Sequence, residues 1–316
     1  MTEIYLGSKE DQNYIRGYLE NIRQLYPIEL FTLPQQVSLE EISKSQGNNL
    51  IDGDLFWQLV NKAKNTLQAD YHKHFFEVID PTRYFFGISE KQNAIGGFHS
   101  KWSVGYHYFY HAGFVVVLNP VRVQDVRVRT IEAVRSYLHD SLHHSTFRSF
   151  RRVILEPKTR EEAKYSVPRV YREQYGFNFR DSTGLSYSEK GLTTLVPRAI
   201  NLNLLMDGIT VILATRLIKN QITLLNNLSS FDDVILKEVI GELFHIPDYG
   251  HAQKFFDSVV RPSQMFIDHW GGEAFLKIAF TAMMTGELNP LKSYFNQRYG
   301  EEGAWEKVFK RPEFKI

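Results

Sequence analysis

Tyr137-Leu138-His139-Asp140-Ser141-Leu142-His143-His144 lies inside a run, Thr130 to Phe147, whose residue types predict one helix. His139 and His143 are four residues apart, so on a helix their imidazoles stack on one face. Two imidazoles in that relation can hold one divalent ion, and Asp140 beside them can hold a water. His144 is turned about 100° from His143 and reads as a surface or supporting residue. A catalytic zinc site usually has three protein ligands and one open position, so a further ligand is expected from another element.

The chain has no cysteine, which excludes disulfides, thiolate metal sites and cysteine nucleophiles. A metal must then bind through His, Asp, Glu or backbone oxygen. The best third ligand is Asp207, in Leu204-Leu205-Met206-Asp207-Gly208-Ile209-Thr210-Val211. It is a lone carboxylate in an apolar helical run, and a buried carboxylate needs a metal, an arginine or hydrogen-bond donors. Arg198 and Arg216 are the competing partners. Gly208 removes a side chain where close approach is needed.

Length and composition bound the rest. The 316 residues are 43% hydrophobic and 23% charged, enough core for one large domain or two modest ones. With 37 basic against 36 acidic residues the formal charge is +1, so no long-range attraction to nucleic acid or anionic membrane is expected. Met1 to Asp11 lacks the basic and apolar regions of a signal peptide. No apolar run reaches the roughly 18 residues of a membrane span. The expected location is cytoplasmic, or outside the cell by a route without a cleaved signal.

Helices are predicted over Glu10–Tyr26 and Asp52–Gln68, with a capping box at Ser38-Leu-Glu-Glu41. Tyr84 to Asn119 is rich in aromatic and β-branched residues with glycine breaks, which predicts an antiparallel sheet feeding the histidine helix. His107 and His111 fall in that strand-like region, about 13 Å apart if extended, too far to share an ion. Glu156 to Thr194 is polar without periodicity and reads as a lid or long loop. After Pro197 the chain reads helical, over Ala199–Leu225, Asp232–Phe244 and Gly272–Met284. A helical region 1–83 would precede a mixed domain 84–316, or one continuous domain would run 1–316. Arg122, Arg127, Arg129, Arg135, Arg148, Arg151 and Arg152 flank the histidine helix and read as a solvated face, or as the site of an acidic substrate.

The order of a strand ending Leu118-Asn119-Pro120, a helix with His139-x-x-x-His143, an irregular stretch and a helix with Asp207-Gly208-Ile209-Thr210 resembles the gluzincin zinc peptidases. Their signature is H-E-x-x-H followed by a second helix often reading Asn-Glu-Gly-(Ile/Leu)-Thr-Glu. Gly271-Gly-Glu-Ala-Phe-Leu-Lys-Ile-Ala-Phe also resembles their C-terminal helices. The likeness spans roughly Phe114 to Phe295. It implies a zincin-like α+β fold, an antiparallel or mixed sheet followed by a mostly helical C-terminal half. It implies zinc as cofactor, His139, His143 and Asp207 as metal ligands, and Asp140 as the catalytic base. A peptide or protein would be the substrate, with Tyr187, His245, Tyr249 or His251 stabilising the oxyanion. This chain departs from the pattern in carrying Asp at both glutamate positions, Met206 for Asn and Val211 for the last Glu. Each shortening withdraws a carboxylate by about 1.5 Å, and a catalytic misplacement of about 1 Å costs on the order of a hundredfold.

Two other functions compete with a zinc hydrolase. A pseudopeptidase would retain the scaffold to bind a protein partner, and the two aspartates favour it. An HD-type metal-dependent phosphohydrolase would use His139-Asp140 as its paired ligands, against which stands the strand predicted just before the helix.

Overall fold

Phe114-Val-Val-Val-Leu118 is a β-branched run, and it forms the centre of the sheet on which the histidine helix is built. The computed structural model describes residues 3–24, 36–44, 50–71, 76–88, 98–104, 110–118, 120, 124–153, 169–180, 186–187, 202–225 and 261–304. In that central sheet β2 (Gln36–Ser38), β3 (Tyr84–Ile88), β4 (Phe98–Val104) and β5 (Tyr110–Leu118) lie in the order β2-β3-β5-β4. β4 runs antiparallel on β5, and β2 antiparallel on β3. β3 and β5 are parallel, in register from Tyr84↔Phe114 to Ile88↔Leu118. The sheet is thus mixed rather than purely antiparallel. The chain leaves β3, forms β4 at the far edge and returns as β5, which gives β5 the direction of β3.

β5 leads to α4 (Val126–Ser145), the helix carrying both histidines. Its N-cap is Asp125, whose side chain accepts from the Arg127 N–H at 2.7 Å. α4 is buried on most of its circumference, with Val128, Ile131, Val134, Tyr137, Leu138 and Leu142 in the core. It packs against α3 (Gly53–Asp70) and α5 (Leu202–Leu225). The Tyr137 ring meets Phe56 of α3 at 5.4 Å and Tyr84 of β3 at 4.8 Å between centroids, so helix and sheet share one aromatic core. Each of these buried rings contributes about 1.5–3 kcal/mol by leaving water.

A second sheet, β1-β6-β7-β8-β9, joins the two ends of this arrangement. β1 (Glu3–Leu6) runs parallel to β6 (Arg148–Val153), and β7 (Arg169–Tyr175), β8 (Asn178–Arg180) and β9 (Ser186–Tyr187) follow antiparallel. α1 (Lys9–Gln24) covers β6 through Ile15, Leu19 and Phe150. The polar stretch expected to be a lid or long loop therefore contains three strands among its described residues. Strand β1 and the β2–β3 pairing also place parts of residues 1–83 in both sheets. The later elements are α6 (Arg261–His269), α7 (Glu273–Thr285) and α8 (Asn289–Tyr299), while the helix predicted over Asp232–Phe244 lies outside the described residues. The described part is α+β, with two small mixed sheets and mostly helical content. No helix among the described residues is long and apolar enough to cross a membrane.

Candidate metal centre

The last two turns of α4 bring His139 and His143 together with their rings edge to face, 4.7 Å between centroids at 87°. α5 supplies Asp207 from its first half, where buried Leu205, Met206 and Ile209 fix the helix against the core. One ligand atom from each of His139, His143 and Asp207 lies within 4.8 Å of the other two. Nε2 of His143 lies 2.7 Å from Oδ1 of Asp207. Two ligands about 2.1 Å from one tetrahedral zinc are about 3.4 Å apart, a value these separations bracket. The side chains of His143 and His139 are 7% and 12% exposed, whereas that of Asp207 is 36% exposed. The group therefore opens towards solvent on the Asp207 side.

The surroundings of His143 Nε2 are rich in acceptors. Thr210, one turn beyond Asp207, donates its hydroxyl proton to the Asp207 carbonyl at 2.7 Å, and its oxygen lies 3.1 Å from Nε2. Nε2 thus faces a carboxylate and a hydroxyl oxygen whose proton is directed elsewhere. Such an arrangement is satisfied by a proton on Nε2 or by a cation shared with the carboxylate. The donor set, two imidazoles and a carboxylate, suits a divalent ion of the zinc type, and other first-row metals bind the same ligands.

The opposite face of His143 is fixed by hydrogen bonds. The Tyr175 hydroxyl donates to the His143 carbonyl at 3.0 Å and lies 3.0 Å from Nδ1. Arg148, fully buried, donates to the carbonyls of His143 and His144 at 3.2 and 2.6 Å. A guanidinium there satisfies the last carbonyls of α4 and opposes the negative end of its dipole. The expected solvated arginine face holds only in part: Arg151 and Arg127 are exposed or half-buried, and Arg122 lies outside the described residues. Arg148 is interior, and Arg129, also buried, donates to the carbonyls of Leu50 and Gln124.

Asp140 is turned to the core. It is fully buried, accepts from the Tyr84 hydroxyl at 3.2 Å, and has Oδ1 3.5 Å from Nδ1 of His139. Burial first, and the Asp140 charge second, push the Tyr84 hydroxyl well above its ordinary pKa, so it remains a donor. Arg135 shares this region, its pKa lowered by burial and partly restored by Glu132, Tyr84 and Asp140. Arg216, named above as a rival partner for Asp207, pairs with Glu273 at 2.7 Å. Arg198, His245, Tyr249 and His251 lie outside the described residues, as does His107; His111 and Tyr187 are placed only as strand positions.

Tyr175, Arg148 and Tyr84 were missed as contributors to this site by the sequence reading. Thr210 had a signal, since it follows Asp207 by three residues and shares its helix face. No protein-family model matches the chain, and no curated protein or solved structure matches it.

Proposed function

We propose that the protein is a metal-dependent hydrolase of peptides or proteins, with zinc held by His139, His143 and Asp207. The observation that carries this reading is the approach of those three side chains, from two helices, to within 4.8 Å of one another. Held by these three side chains, a divalent ion would supply Lewis acidity and would lower the pKa of water towards about 7. The resemblance assigns proton transfer to Asp140, which is turned to the core here, bound to Tyr84 and set beside His139, so it would have to swing towards the open side to reach an attacking water. Tyr84 orients it by donating to one carboxylate oxygen. The partly exposed Asp207 lies on the side from which a substrate enters.

A second reading, a metal-binding scaffold without peptide turnover, is favoured by one observation. Asp140 is fully buried and bound to Tyr84, which supports a role in orienting His139 rather than in moving protons. Turnover of a fluorogenic peptide library by zinc-loaded protein and Asp140→Glu separates the two. In the hydrolase reading wild-type protein cleaves, and the longer side chain changes the rate by tenfold or more in either direction. Zinc-loaded protein that cleaves nothing, with Asp140→Glu equally inert, contradicts it in favour of the scaffold.

A further inference from the structure

The second metal-facing histidine is held by a residue that would not touch the ion, and this inference rests on reading His143 as a ligand. Tyr175 ends β7, and its hydroxyl reaches two atoms of one residue, the carbonyl oxygen and Nδ1 of His143, each at 3.0 Å. A hydroxyl has one proton and two lone pairs. With the proton given to the carbonyl, the oxygen faces Nδ1 as an acceptor, so the proton of a neutral ring belongs on Nδ1. Nε2 then carries the lone pair, which beside the Asp207 carboxylate at 2.7 Å requires a cation shared between the two.

We propose that Tyr175 is a positioning residue that fixes the Nδ1–H tautomer and ring orientation of His143, making Nε2 the metal donor. Four features hold Tyr175 itself in place. The Arg172 guanidinium, buried, lies 3.9 Å from the centre of its ring. The Tyr175 and His143 rings are close to parallel, at 18°. Gly176 follows at φ +55°, where a Cβ would sit 2.6 Å from Sδ of Met206 on α5, the neighbour of Asp207. The Gln174 amide donates to the carbonyls of Gly176 and Gly286 at 2.8 and 3.0 Å, closing the turn against α7. The β7–β8 turn is thus pressed onto both ligand helices, and Tyr175 is the side chain it presents to the site.

The test uses full-length protein with ¹⁵N-labelled histidine, loaded with cadmium-113, beside zinc affinity measured by competition with a chromophoric chelator. In wild-type protein the metal–nitrogen coupling of His143 is expected at Nε2, with the proton on Nδ1. Tyr175→Phe keeps the ring under Arg172 and should keep the fold by circular dichroism, yet lose about 10- to 100-fold in zinc affinity. Coupling at Nδ1 of His143 in wild-type protein overturns the proposal without any variant, as does a folded Tyr175→Phe of unchanged affinity. A folded wild-type protein that takes up neither zinc nor cadmium overturns the ligand reading itself, and this inference with it.

Discussion

The ring of His143 is engaged at both nitrogens, by Tyr175 on one side and by Asp207 and Thr210 on the other. Its neighbours tolerate little change. Gly176 combines a left-handed backbone with a Cβ position inside the radius of Met206, so Gly176→Ala should destabilise the fold by about 1–3 kcal/mol. Urea unfolding would measure it, and an unchanged midpoint would show that the turn yields without cost. At this scale the two histidines were legible because helical spacing alone puts them together. Asp207 was legible because a single carboxylate in an apolar helix demands a partner. Tyr175 was not, because it lies 32 residues beyond His143, in a segment whose polar side chains gave no period to read.

Helix starts and strand edges carry the element-scale consequences. Ser38 and Glu41 form the reciprocal capping box read from sequence, with Ser38 N–H and hydroxyl both donating to Glu41 at 2.8 Å and Glu41 N–H returning to Ser38 at 3.1 Å. Ser38→Ala should cost about 1 kcal/mol of stability. The Ser38 backbone N–H, chiefly, holds the Glu41 carboxyl below its ordinary 4.5. A carboxylate depressed in the folded state adds stability above its unfolded pKa and loses it as pH falls through the folded value. Stability should therefore decline on acidification below about pH 4.5, and less steeply in Ser38→Ala, as thermal midpoints across pH would record. Helices α4 and α5 were readable from long runs of consistent residue type. Strand β6 was not, since Arg148-Ser-Phe-Arg-Arg-Val153 offers few apolar residues, and its arginines are satisfied by carbonyls, Glu173 and the acidic first turn of α1.

Across the molecule, the second sheet ties the N-terminal strand to the histidine helix. β1 pairs with β6, whose first residue, Arg148, caps α4 and stands 3.9 Å from Glu3. Arg148→Met should take one donor from each of the His143 and His144 carbonyls and the cation from Glu3, costing about 3 kcal/mol by denaturant unfolding. A loss under about 0.5 kcal/mol, the scatter of ordinary surface changes, would mean that the tie is solvated and dispensable. That architecture was only half legible. The central sheet and helices follow from local pattern, whereas the β1–β6 pairing joins residues 145 positions apart and leaves no local trace. The claim that matters most is that His139, His143 and Asp207 hold one metal ion. Elemental mass spectrometry on native protein and on His139→Ala, each supplied with zinc, tests it directly. One zinc per chain, absent from the folded variant, is the predicted result; native protein that remains folded and metal-free, or a variant that binds zinc as well as the native chain, would contradict it.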